Sequence, residues 1–109
     1  RENQDVTGRA FSRLSSYSTE LAPVLFGSKS GTTEMNLTWT WSGTGNPTYK
    51  VYRTVDGVAT EVYSGSVSSL DSSTTPSLHP TSGKQNCYTV RATIGSYTSA
   101  PSNARCEDF

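Results

Sequence analysis

The chain has few of the residues on which catalytic and metal-binding sites depend, since its 109 residues include one histidine and two cysteines. A Ser-His-Asp triad would have to use His79, which lies in a Ser- and Pro-rich stretch. The cysteines, Cys87 and Cys106, are far apart and lack the paired spacing of a zinc site. No glycine-rich loop leads into a helix, as a phosphate-binding loop requires. We therefore predict no enzymatic activity, no metal and no cofactor.

An excess of charge of one sign is also lacking. Lys and Arg together number 9, Asp and Glu together number 9, and the formal net charge is zero. Nucleic acids and anionic membrane surfaces attract proteins with surplus positive charge, so the sequence indicates neither partner. No apolar run approaches the roughly 20 residues that span a bilayer, and we predict no membrane insertion. Because the sequence begins with Arg1 rather than Met, we expect a processed product or a segment of a longer, exported protein.

What the chain does contain is typical of an all-β protein. Ser and Thr make up about a third of it, aromatic residues 10% and charged residues only 17%. Thr, Val, Tyr and Trp favour strands, whereas long helices favour Ala, Leu, Glu and Lys. Leu37, Trp39 and Trp41 alternate with Thr38 and Thr40, which predicts a strand with one buried face.

Turn signals separate seven short predicted strands, a pattern that indicates an antiparallel β-sandwich of the immunoglobulin-like type. Asp56-Gly57 is a typical two-residue hairpin turn. We expect Gly27 to Gly31 to form a turn after the first strand, and Val67, Leu70 and Leu78 to be buried anchors in the long segment before the sixth. The predicted strands are residues 23–26, 34–41, 49–54 and 58–63, a short edge strand within 64–83, and residues 88–93 and 99–106.

Four segments together resemble a fibronectin type III module over about residues 21–106. They are Leu37-Thr-Trp39, Tyr49-Lys-Val-Tyr52-Arg, Cys87-Tyr-Thr-Val-Arg-Ala92 and Ser99-Ala-Pro-Ser-Asn103. The similarity is strongest to the bacterial kind, with a cysteine on each of the last two strands. The resemblance implies that Trp39, Tyr49 and Val51 are core residues. It also implies a tyrosine two residues before Tyr88, to pin the preceding loop, and this chain has Asn86 there.

The two cysteines are predicted to form a disulfide. A hairpin centred on Ser96-Tyr97 places Cys87 directly opposite Cys106, on the face of the sheet away from Tyr88, Val90 and Ala92. A disulfide between them indicates an oxidising compartment, and hence an extracellular location.

Four aromatic residues are candidates for facing a ligand: Trp41, Tyr52, Tyr63 and Tyr97. Sugars stack on exposed aromatic rings, so a carbohydrate partner is one interpretation. In the alternative interpretation Trp41 continues the buried stripe of Leu37 and Trp39, and Tyr52 pairs with Tyr63 across the hairpin. Asn36-Leu-Thr38 matches a glycosylation sequon, which matters only in a eukaryotic secretory host.

Residues 1–20 differ in composition from the predicted sandwich of residues 21–109 and form an N-terminal arm or linker. The positions of Val6, Ala10, Leu14, Tyr17 and Leu21 give a weak helical stripe, and a disordered linker is the alternative. Our hypothesis is a non-enzymatic structural or adhesive module of a secreted or surface-exposed bacterial or phage protein. Its partner would be a protein, with self-assembly through residues 1–20 into a filament or virion. The alternatives are a carbohydrate-binding or accessory module of an extracellular hydrolase, and a phage capsid-decoration or tail domain.

Overall fold

The computed structural model describes residues 21–109, so the predicted arm and all of its helical stripe except Leu21 lie outside the described residues. Within that range the chain forms eight strands, and one short 3-10 helix, Pro76–Leu78, precedes the sixth of them. The strands are β1 (Val24–Ser30), β2 (Glu34–Thr40), β3 (Thr48–Val55), β4 (Val58–Gly65), β5 (Ser69–Asp71), β6 (Gln85–Ile94), β7 (Tyr97–Thr98) and β8 (Arg105–Asp108).

The strands form two antiparallel sheets, which confirms the predicted all-β sandwich. One sheet has the order β1-β2-β5, and the other has the order β4-β3-β6, with β7 and β8 both paired to β6. Eight strands replace the expected seven because residues 99–104 of the predicted final strand form no regular strand, and short strands lie before them (β7) and after them (β8). The polypeptide leaves the sheet between them and returns at Arg105.

The core lies between the sheets and follows the period-2 pattern of the sequence. Its buried apolar side chains are Leu25, Met35, Leu37, Trp39, Tyr49, Val51, Val62, Leu78, Tyr88, Val90 and Ala92. Trp39 and Tyr49, from opposite sheets, meet edge to face with ring centroids 5.5 Å apart and planes at 69°. Aromatic pairs favour this geometry because the positive edge of one ring faces the negative face of the other. The core positions expected for Trp39, Tyr49 and Val51 are confirmed.

The loop before β6 is held by a hydrogen bond from an unexpected tyrosine. The Tyr88 hydroxyl donates to the Leu78 carbonyl oxygen at 2.9 Å, and both side chains are fully buried. The expectation that Asn86 stands in place of the pinning tyrosine is therefore wrong. Asn86 is itself buried and secures the next part of the loop, because its amide bonds with the peptide groups of Thr81 and Lys84.

Two other local expectations are also wrong. β1 continues through Gly27 to Ser30 instead of turning there, and the turn falls at residues 31–33. A Cβ atom on Gly27 would lie 2.9 Å from Met35 Cε, so this glycine allows close packing inside the sandwich. Val67 is 45% exposed and is not an anchor, whereas Leu78 is fully buried and Leu70 packs against the core.

The β3–β4 hairpin has the predicted two-residue turn. Asp56 and Gly57 have φ angles of 52° and 79°, and Val55 pairs with Val58. Both central residues are in the left-handed region, which matches the right-handed twist of the two strands.

Gly57→Ala is expected to lower the free energy of unfolding by about 1 kcal/mol, because a Cβ atom disfavours the left-handed conformation. Nothing else lies within 4 Å of that Cβ position, so backbone strain alone is tested. Urea denaturation measures the change. Asp56→Asn is the control and should alter stability little, because Asn tolerates positive φ. An unchanged Gly57→Ala variant would contradict the expected turn energetics.

Candidate functional site

The structure separates the four predicted aromatic residues. Val51 lies opposite Tyr63 and Tyr52 lies opposite Glu61, because a β-bulge adds Val62 to β4 between them. Tyr63 is therefore on the face of buried Val51 and packs against the core, and Tyr52 is on the other face of the sheet. The predicted cross-strand pairing of Tyr52 with Tyr63 is wrong, and the four rings do not form one surface.

Trp41 lines a cleft of about 570 Å³ at one end of the sandwich. The end of β2, the β2–β3 loop, the start of β3 and the β4–β5 loop meet there. The lining residues are Trp39, Thr40, Trp41, Gly43, Gly45, Asn46, Pro47, Thr48, Tyr49, Ser66 and Ser68. These residues are aromatic, small, hydroxyl-bearing or amide-bearing, and none is charged. We call this site the end cleft.

Gly43 allows the Trp41 indole to fold back against the wall of the end cleft. β2 ends at Thr40, and the indole folds back onto Gly43, where a Cβ atom would overlap the ring. The indole N–H points to the Thr44 carbonyl oxygen at 3.5 Å. Trp41 also packs against the core and is half-buried. The interpretation of Trp41 as a member of the buried stripe thus describes only part of its surroundings.

Tyr97 lies at the same end of the sandwich but does not line the end cleft. Thr48, the first residue of β3, pairs with Thr93 near the end of β6, and Tyr97 follows the β6–β7 turn. A Cβ atom on Gly45 would be 3.5 Å from Ile94, so the β2–β3 loop packs beside this turn. Tyr97 is 42% exposed.

His79 belongs to a serine-carboxylate-imidazole cluster that does not have the arrangement of a triad. The Ser72 hydroxyl donates to Glu34 Oε1 at 2.6 Å, and His79 Nδ1 lies 3.3 Å from the same oxygen. In a catalytic triad the imidazole stands between the hydroxyl and the carboxylate, so that it can take the proton of the hydroxyl. Here the carboxylate stands between them. Ser72 instead accepts a hydrogen bond from the Met35 N–H at 2.8 Å, which ties β2 to the turn after β5.

Cys87 and Cys106 form the predicted disulfide, with Cα atoms 4.0 Å apart. The predicted hairpin centre is nevertheless one residue late, since Ile94 pairs with Tyr97 around a Gly95-Ser96 turn. The register advances between the turn and the disulfide, so that Cys87 does lie opposite Cys106.

Two serines bridge the gap between β7 and β8. Ser99 Oγ accepts from the Ala92 N–H, and Ser102 Oγ accepts from the Val90 N–H, both at 2.9 Å. The N–H groups of the same serines donate to the carbonyl oxygens of Ala92 and Val90. Side-chain hydroxyls thus replace strand carbonyls, and the polypeptide can pass this stretch without a regular ladder.

Side chains of the last segment also close the edge of β1. The Asn103 amide accepts from the Leu25 N–H at 2.9 Å and donates to the Leu25 carbonyl at 2.8 Å. Arg105 donates to the Gly27 carbonyl at 3.2 Å, and Lys29 donates to the Asp108 carbonyl at 2.6 Å. These bonds connect the two sheets along one side of the sandwich.

Two apolar side chains of β1 are exposed on the outer face of the three-stranded sheet. Leu25 points into the core, so its neighbours Val24 and Phe26 point outward, and they are 49% and 56% exposed. Their cross-strand neighbours on that face are Thr40 and Thr38. We call these four residues the β1 patch.

Within residues 21–109 no three or more His, Cys, Asp or Glu side chains are grouped so that they could hold a metal ion. A search of the same residues finds no helix with the length and apolar character needed to cross a membrane.

No protein-family model matches this chain, and no curated protein matches it. Solved structures do. The fibronectin type III domain derived from human KIAA0970 protein has a TM-score of 0.64 at 18% identity, covering 84% of this chain and 74% of that chain. The corresponding domain of human fibronectin type III domain containing protein 3 has a TM-score of 0.57 at 22% identity, covering 83% of each chain.

A module of an enzyme is similar as well. Pectate lyase PelI from Erwinia chrysanthemi has a TM-score of 0.60 at 17% identity, over 78% of this chain and 27% of that chain. Domains of the fibronectin type III class are commonly non-enzymatic interaction modules. Together with the two antiparallel sheets and their buried core, these similarities show that residues 21–109 have the fibronectin type III fold.

Proposed function

We propose that this chain is a non-enzymatic interaction module of a secreted or surface-exposed protein, of bacterial or phage origin, and that it binds a protein partner through the β1 patch. The observation that carries the proposal is the exposure of Val24 and Phe26 side by side on an open sheet face. Exposed neighbouring apolar groups lose unfavourable contact with water when a partner covers them. The threonine methyl groups beside them extend the surface that a partner would cover.

The proposed location rests on the disulfide. A bond between Cys87 and Cys106 persists in an oxidising environment and is rare in reducing cytosol. The uncharged β1 patch also suits a protein partner, since it offers no site for an anionic polymer.

The partner we propose is a second copy of the chain, in an extracellular filament or on a virion surface, with residues 1–20 as the connector. The β1 patch begins at Val24, close in sequence to residue 21, to which residues 1–20 are joined. A connector of this length can extend to a neighbouring copy, because an extended chain spans about 3.3 Å per residue.

The test is the oligomeric state of the full chain by sedimentation. We expect the wild-type chain to self-associate, and the double variant V24S/F26S and a chain lacking residues 1–20 each to associate more weakly. Val58→Ser is the matched control, since Val58 is 65% exposed at the hairpin tip, away from the β1 patch. A wild-type chain that stays monomeric, or a V24S/F26S variant that assembles like wild type, contradicts the proposal.

A further inference from the structure

We infer that the end cleft is a second binding site, which shares only Thr40 with the β1 patch, and that its ligand is a neutral polysaccharide. The cleft volume of about 570 Å³ is within the range of roughly 300–1,000 Å³ found for ligand sites. The end cleft joins the Trp41 ring to a rim of hydroxyl and amide groups. A sugar presents the same two kinds of surface, C–H faces that pack on rings and hydroxyls that form hydrogen bonds.

The rim chemistry selects the class of ligand. Thr40, Thr48, Ser66 and Ser68 are exposed and contribute hydroxyls, and Asn46 contributes an amide. A hydroxyl donates one hydrogen bond and accepts others, and an amide does both, so each can match a sugar hydroxyl in either role. No lining residue carries a positive charge to balance a phosphate or carboxylate, which disfavours nucleotides and acidic polysaccharides.

Trp39 provides an independent indication. It lines the end cleft, its side chain is 2% exposed, and within residues 21–109 its indole N–H has no acceptor. Buried polar groups in proteins almost always have a hydrogen-bond partner, so an unpaired N–H at a cleft is unusual. Because the Trp39 side chain lines the end cleft, a ligand bound there would change the surroundings of this N–H.

The site is also largely preformed. The Trp41 side chain contacts Gly43 and packs against the core, and both contacts restrict its movement. Gly45, in the same loop as Gly43, has a φ of 85° and packs against Ile94, which restricts the movement of this loop. A ring that is already held in place loses little conformational entropy when a ligand stacks on it.

The experiment uses the full chain with four soluble probes, namely xyloglucan, galactomannan, mixed-linkage β-glucan and polygalacturonate. Binding is measured by affinity electrophoresis and by NMR of the indole N–H groups. The chain has two tryptophans, so Trp41→Ala leaves one indole signal, which assigns Trp39. We expect at least one neutral probe to bind and to shift both indole signals, and polygalacturonate to bind more weakly.

Trp41→Ala should weaken that binding tenfold or more, whereas Tyr97→Ala, which removes an exposed ring outside the end cleft, should not change it. Thr48→Val tests the rim without removing a ring. It keeps the β-branched shape, and loss of one hydroxyl contact should weaken binding about threefold. Binding by none of the neutral probes, preference for polygalacturonate, or unchanged binding by both Trp41→Ala and Thr48→Val overturns the inference. The V24S/F26S variant should still bind the sugar if the inference holds. Loss of self-association and loss of sugar binding are therefore separate results, and either proposal can fail without the other.

Discussion

Replacing both cysteines, in the double variant C87A/C106A, is expected to lower the free energy of unfolding by about 3 kcal/mol. The disulfide joins residues 19 apart in sequence. Its main effect is to restrict the unfolded chain, because the closed loop has fewer conformations than the open one. A small domain has only about 5–15 kcal/mol of stability in total, so this is a large loss.

Chemical denaturation of the wild-type and variant chains measures the difference. Wild type with a reducing agent should match C87A/C106A, while the variant should be insensitive to the agent. β8 is short and pairs only with β6, so amide exchange should increase most at residues 105–108. A variant as stable as oxidised wild type would show that the native sandwich does not depend on the crosslink.

Tyr88→Phe is expected to cost about 2 kcal/mol, because it removes the hydrogen bond to Leu78 and leaves a buried carbonyl without its donor. The ring still fills its place in the core, so the change tests the hydroxyl rather than the packing. Thermal or urea denaturation at neutral pH measures the effect. Tyr97→Phe is the control, because Tyr97 is exposed and its change should be nearly neutral.

The same hydroxyl predicts a dependence on alkaline pH. Burial raises the pKa of Tyr88 from 10.0 to about 12, although the positive charge of Arg53 opposes the increase. The unfolded chain therefore ionises at Tyr88 before the folded chain does. The contribution of this group is complete below pH 10.0 and is lost as the pH rises toward about 12.

The measurement is the difference in unfolding free energy between wild type and Tyr88→Phe across this pH range. Tyr49, whose pKa burial also raises, is present in both chains and does not enter the difference. We expect the unfolding free energy of the wild type to exceed that of Tyr88→Phe by a smaller amount as the pH increases. A constant difference from neutral pH to pH 12 would contradict the assigned pKa.

The sequence predicts the core well because alternation along a strand reports directly which side chains are buried. Leu37, Trp39, Tyr49 and Val51 follow this rule. The disulfide is predicted correctly although the predicted hairpin centre is one residue late, because the register advances between the turn and Cys106. The Asp56-Gly57 turn is the third such case, because its conformation depends on two adjacent residues.

What the sequence does not predict arises from contacts between distant segments. Residues 27–31 have the composition of a turn, but β1 continues through them as far as Ser30. Gly27 is needed because Met35 packs too close to leave room for a Cβ atom. The bulge at Val62, which separates Tyr52 from Tyr63, cannot be recognised from the alternation of apolar and polar residues in the sequence. The end cleft combines residues from two separate parts of the chain, 39–49 and 66–68, so Trp41 could be proposed as a ligand contact but its surroundings could not.

The bonds between β1 and the last segment determine how the sandwich would respond to tension. Leu25 bonds to Asn103, Gly27 to Arg105 and Lys29 to Asp108, so residue numbers increase together and the two segments run in the same direction. A force that pulls residue 24 away from residue 108 therefore loads these bonds in shear, and they must break together instead of one after another. Once they break, the covalent link between β6 and β8 prevents residues 88–105 from extending. These bonds and the disulfide should therefore make the sandwich resist extension between residues 24 and 108.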